Sequence, residues 1–225
     1  YLCISPNEFG IYLFNKKKLN NLDLKKINFY NKADQIDFIA LDKFLEDNIF
    51  KIEQLAGNFI KSIFLIIESK ENKQIHLGIK KKNYESIINQ KFLQNIITDA
   101  KDLFRENYQN NYIMHILINR YFENGNYHLS FNDKFSGGYL CIEFQFQYIS
   151  NNFIFELNQV LRKYHIELAG CLDGEYVKNF FKSEQIEYPE MVYKLLNGVN
   201  KNEVKLISKK FRKKGFFEKF FQLFS

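Results

Sequence analysis

The chain has 225 residues, 46% of them hydrophobic, which is enough apolar material for one large domain or two small ones and excludes a disordered chain. Its three cysteines, Cys3, Cys141 and Cys171, are odd in number, far apart and free of any Cys-x-x-Cys pairing, which argues against a disulfide framework and for a reducing, cytosolic setting. The net charge of +6 resides in residues 201–225, where eight Lys or Arg stand against two Glu, while residues 1–200 hold 24 side chains of each sign.

In chain order, residues 2–5 and 10–14 predict two short strands around a Ser-Pro-Asn-Glu turn, and residues 24–30 a third strand. Residues 37–57 predict a long helix, whose apolar positions include Ile39, Leu41, Phe44, Leu45, Ile49, Ile52, Leu55 and Ala56, with Gly57 as its stop. Residues 61–68 contain Ile-Phe-Leu-Ile-Ile, a continuous apolar run that fits a strand buried on both faces. Residues 74–80 alternate Ile75, Leu77 and Ile79 as a further strand, and residues 91–108 place Phe92, Ile96, Ala100 and Phe104 at helical spacing. Residues 112–120 form the next strand, followed by a turn at Asn124-Gly125. Residues 140–148 alternate Leu, Ile, Phe, Phe and Tyr against Cys, Glu, Gln and Gln, a period-two, half-buried strand. A helix over 152–164, a strand over 167–172 and short helices over 175–182 and 190–197 complete the ordered part.

This order predicts a mixed α/β (α+β) fold rather than a doubly wound parallel sheet. The expected organisation is a first lobe over 1–110, a small second lobe over 111–175, connecting helices over 176–200 and a basic tail over 201–225. No apolar run approaches the roughly 20 residues needed to span a bilayer, and no signal peptide is visible in a sequence that begins at Tyr1.

Catalytic signatures are scarce. His76, His115, His128 and His165 have no metal-ligand spacing and read as ordinary strand or surface histidines. Asp99 and Asp102 flank Lys101 on a helix and read as a solvated face. Ser136-Gly137-Gly138 precedes a strand, so it reads as a turn and not as a phosphate cradle at a helix N-terminus. No Walker A loop, Gly-x-Gly-x-x-Gly or His-Glu-x-x-His is present. The expectation is therefore no enzyme, no metal and no cofactor.

The tail carries more information. At 100° per residue, Phe216, Phe217, Phe220, Phe221, Leu223 and Phe224 fill an arc of about 160°, with Glu218, Lys219, Gln222 and Ser225 opposite. Lys209, Lys210, Arg212, Lys213 and Lys214 form a cationic collar before it. Six partly buried large apolar side chains give on the order of 5–10 kcal/mol gross, and each basic residue beside an anionic leaflet adds about 1 kcal/mol. That suits reversible binding to an anionic membrane surface. A helix packed on its own domain or at a dimer contact, and a nucleic-acid-binding module acting through the basic tail, are the alternatives; six phenylalanines in the last 15 residues argue against nucleic acid.

The chain also resembles the actin-like bacterial cell-division family typified by FtsA. His115-Ile116-Leu117-Ile118-Asn119-Arg120-Tyr121, then Asn124-Gly125, then Ser136-Gly137-Gly138 leading into 139–149, is similar to the start of that family's inserted small subdomain, with Ile118 where the family has proline. Gln54-Leu55-Ala56-Gly57 followed by Ile60–Leu65 resembles the helix and strand upstream of the insertion, and the tail resembles the family's membrane-targeting helix. The resemblance implies a partial actin-like subdomain, an inserted FtsA-type small α/β subdomain over 111–175 and a C-terminal amphipathic helix. It implies a membrane-tethered divisome scaffold on the cytoplasmic face of the inner membrane at the division site. Its implied partners are other division proteins, FtsZ among the candidates, and a second copy through the inserted subdomain.

The departures bear on nucleotide. Where the family writes Asp-Ile-Gly-Ser/Thr beside ATP phosphate, this chain has Cys3-Ile4-Ser5-Pro6; cysteine cannot replace the carboxylate, and Pro6 offers no N–H. The family's second large domain, which holds the adenosine pocket and the surface that grips FtsZ, is expected to be missing after Leu172. The resemblance thus leads to a degenerate nucleotide site without ATP. A related actin-like pilus-assembly factor shares the fold family and is set against by the amphipathic terminus.

Overall fold

The computed structural model describes residues 1–28, 35–131 and 135–206. Among them are two sheets and five helices in a mixed α/β arrangement. The chain divides into two compact units: one comprises Tyr1–Lys70, Glu156–Val199 and Lys205–Ser225, the other Glu71–Phe155 and Asn200–Val204.

In the first unit, β1 (Leu2–Ser5), β2 (Glu8–Asn15) and β3 (Asn20–Asn28) form an antiparallel meander. β4 (Ser62–Ile67) pairs parallel with β1, and β9 (Glu167–Asp173) pairs parallel with β4, giving the order β3-β2-β1-β4-β9. Helices cover both faces, which is why β4 reads as a continuous apolar run. α1 (Phe38–Ala56) lies on one face and sets the Phe44 ring 5.9 Å from Phe9, tilted by 46°. On the other, α5 (Tyr188–Leu196) sets Tyr193 5.6 Å from Phe14. Leu2, Ile4, Phe9, Ile11, Leu41, Leu45 and Leu65 are buried between these layers.

The ends of α1 follow from single residues. The Asp37 carboxylate accepts from the Ile39 and Ala40 amides at 2.9 and 3.0 Å, satisfying donors that the first turn leaves open. Gly57 ends the helix at φ +69°, the left-handed conformation that glycine adopts without a Cβ clash.

The second unit is a four-stranded antiparallel sheet, order β5-β8-β6-β7, built from β5 (Lys73–Ile87), β6 (Asn111–Glu123), β7 (Asn126–His128) and β8 (Ser136–Ser150). α2 (Gln90–Asn107) lies on one face. Its Ile96, Ala100 and Phe104 meet Ile116, Ile118, Ile142, Phe144 and Phe146 in one buried cluster. The Phe104 ring stacks on Phe146 at 4.8 Å and meets Tyr148 edge-on at 5.3 Å.

Three expectations need correcting. The divide expected between residues 110 and 111 falls after Lys70, because β5 hydrogen-bonds along β8 and α2 packs on the same sheet. Residues 167–172, assigned to the small lobe, form β9 of the first sheet, since Ser62 to Ile67 supply their partner strand. Residues 201–204, assigned to the tail, belong to the second unit. β7 was unforeseen, and β5 and β8 extend well beyond 74–80 and 140–148. The expected third strand begins earlier, at Asn20, and its last two residues lie outside the described residues. α3 (Asn151–Lys163) and α4 (Gly174–Phe180) match the expected helices in position.

Candidate functional site

The parallel strands β1, β4 and β9 end together on one side of the first sheet, the place where open α/β sheets gather ligand-binding groups. β1 brings Cys3 and Ser5 there, the residue after β4 is Glu68, and β9 ends on Asp173. The Glu68 amide donates to the Ile4 carbonyl at 2.9 Å, which carries the β1–β4 pairing one step past the strand end and fixes the carboxylate's root.

That carboxylate is already partnered. Oε2 accepts from Lys178 Nζ at 2.6 Å, Oε1 accepts from the Tyr188 hydroxyl at 2.9 Å, and the Cys3 thiol lies 3.9 Å from Oε1. The Lys178 ammonium also sits over the Tyr188 ring, 5.3 Å from its centre. Burial, reinforced by the Glu68 charge, pushes the Cys3 thiol up to about 12, so it is neutral and unreactive at neutral pH. Burial first, then the charges near it, likewise raises the Tyr188 phenol, which therefore remains a hydrogen-bond donor. Asp173 is buried and its side chain caps α4 by accepting from the Glu175 and Tyr176 amides at 2.9 and 3.1 Å.

Gly174 is what lets these groups close together. A Cβ at this position would overlap Glu68 Cγ and come 2.7 Å from the Tyr188 hydroxyl. Gly174→Ala is expected to cost about 1–3 kcal/mol through this overpacking, read as a fall in the urea midpoint with an unchanged slope.

A second polar cluster lies in the other unit. His115, buried on β6, has Nδ1 2.6 Å from Glu203 Oε1. Among the described residues no group of three or more His, Cys, Asp or Glu is arranged to hold a metal, and no helix is long and apolar enough to cross a membrane.

Of the residues singled out in the sequence, Cys3 to Ser5 lie in β1 and Pro6 follows its end. The eleven tail residues Lys209, Lys210, Arg212, Lys213, Lys214, Phe216, Phe217, Phe220, Phe221, Leu223 and Phe224 all lie outside the described residues. Glu68, Lys178 and Tyr188 were missed. The one available signal was an acidic residue directly after a fully apolar strand, a position where burial makes a carboxylate conspicuous.

No protein-family model matches the chain, and no curated protein does. Among solved structures, one described as the PilM-PilN type IV pilus biogenesis complex is similar over 80% of this chain and 48% of that chain, with a TM-score of 0.50 and 6% sequence identity. The present chain thus spans about half the length of that structure's chain. The similarity is one of fold, and the two-sheet α/β architecture is compatible with a partial actin-like fold.

Proposed function

We propose that this chain is an actin-like scaffold that works by protein–protein contact at the cytoplasmic face of the inner membrane. The observation that carries the reading is a basic, phenylalanine-rich, amphipathic C-terminal segment following an actin-like body. The tail supplies the membrane surface; the body supplies partner surfaces. Its place, on this reading, is the division site, as an FtsA-like tether for division proteins, with the second unit corresponding to the family's inserted subdomain.

Nucleotide has no part in this reading. Cys3 stands where the family's carboxylate would help hold magnesium, and Pro6 lacks the amide that would approach phosphate. The nearest carboxylate, Glu68, is engaged by Lys178 and Tyr188. Calorimetry of the intact chain with Mg-ATP is expected to show no heat of binding up to millimolar nucleotide. Micromolar affinity would refute this part of the proposal.

The similarity to a PilM-PilN complex favours a second placement, a scaffold in pilus biogenesis, where the same body would serve a different set of partners. A fluorescent fusion separates the two: midcell bands support division, and a distribution following pilus assembly supports the second. Removal of residues 209–225 should release the fusion from the membrane in either case. The membrane reading itself is tested by sedimenting the intact chain with anionic vesicles and, at matched salt, with single-stranded oligonucleotide; binding to the oligonucleotide alone would replace it with the nucleic-acid reading.

A further inference from the structure

After α5 the chain passes through Asn197, Gly198 and Val199 and then joins the second unit as Asn200–Val204. This short strap lies along the edge of β6 that β7 leaves uncovered, since β7 pairs only with Tyr121 to Glu123. The Ile118 amide donates to the Asn202 carbonyl at 2.8 Å, and the Val204 amide donates to the Ile116 carbonyl at 2.9 Å. Leu117 and Glu203 form the antiparallel bridge between these two bonds. Side chains hold the strap at both ends: Asn202 Nδ2 donates to the Leu129 carbonyl at 2.7 Å, and Val204 packs against the buried cluster. Between them, Glu203 Oε1 meets Nδ1 of His115, a ring that is 2% exposed.

A three-residue strand addition supplies few bonds and little area, and on its own would fray. The buried imidazole adds to its hold, because losing the carboxylate removes a hydrogen bond from a ring that is shielded from solvent. We propose that Asn200–Val204 is a clasp: a short segment that closes on the free edge of β6 and can open while the rest of the second unit stays folded, with Glu203 as the side chain that keeps it closed. Its existence as a separable, closable element does not rest on the membrane reading above.

The test is amide hydrogen exchange of the intact chain without lipid. In Glu203→Ala, exchange at Ile118 and Val204 is expected to quicken at least about tenfold, while the Phe144 and Phe146 amides of β8 keep their protection. Val204→Pro, which deletes the amide that donates to Ile116 and leaves Glu203 in place, should likewise expose Ile118 without loosening β8. Unchanged exchange at Ile118 in both variants overturns the clasp. So does loss of protection that spreads through β8 in both, because the strap would then be part of the unit's core and not a separable element. Vesicle sedimentation of the wild-type chain reports on the membrane reading alone, so the two can fail independently.

Discussion

Aspartate at both Phe217 and Phe221 is expected to abolish sedimentation with anionic vesicles, lowering apparent affinity by more than about a thousandfold. Each phenylalanine contributes roughly 1.5–3 kcal/mol when fully buried, and each aspartate adds repulsion from the leaflet that the lysines seek. Together the two changes remove on the order of 5 kcal/mol, and about 1.4 kcal/mol is a factor of ten. Replacing Lys209 and Lys210 by glutamine should weaken binding far less, by about 1 kcal/mol each, and only at low salt. Equal loss in both variants would mean that charge alone carries the interaction. Retained vesicle binding in the double aspartate variant would remove the tail from the membrane and leave the packed-helix alternative. On the membrane reading, thermal stability of the body should be unchanged in both variants, whereas a tail packed on its own domain would lower it.

Phe104→Ala is expected to cost about 3–5 kcal/mol, the range for an aromatic ring deleted from a rigid core. The ring is 1% exposed, stacks on Phe146 with planes 7° apart and touches Tyr108 and Tyr148, so three aromatic side chains lose a common partner. The urea midpoint of the second unit should fall by at least about 1 M, given slopes of about 1–3 kcal/mol per molar. Tyr127→Ala, at a ring 65% exposed on β7, should stay within about 0.5 kcal/mol. A comparable shift for both would mean that the stack is not where the second unit's stability resides. The Phe104 variant should leave the first unit's transition in place, because the buried cluster around Phe104 draws only on residues of the second unit.

What could be read in the sequence was what depends on near neighbours. The alternation from Leu140 to Tyr148 is a local property, and the structure buries all five of the apolar members. Asp37 and Gly57 act on their own helix, so both ends of α1 were legible. The run Ile63 to Ile67 announced a strand covered on both faces, as β4 is. What escaped depends on distant partners. Lys81 and Lys82 fall beyond the expected strand, yet they continue β5, because lysines suit an edge strand and β8 offers them backbone partners at Leu140 and Tyr139. The domain divide was misplaced for the same reason: the change of texture near Tyr112 is real, but pairing of β5 with β8 decides membership. The polar clusters are the extreme case. Glu68 lies 110 residues from Lys178 and 120 from Tyr188, and His115 lies 88 from Glu203, so no spacing rule could join them.

The order of folding follows from where the second unit leaves and rejoins the first. β4 must find β9 across on the order of a hundred residues, a loop closure that costs about 4 kcal/mol in chain entropy before any bond forms. The second unit depends on shorter separations, and its first paired residue, Lys73, sits opposite Tyr148 near its last. Once that sheet has formed, the two ends of the intervening chain are side by side, and the loop remaining to be closed shrinks to the few residues before Lys73 and the helix after Ser150. The second unit is thus a staple that should form early, during synthesis, and hold β4 ready for a strand the ribosome has yet to deliver.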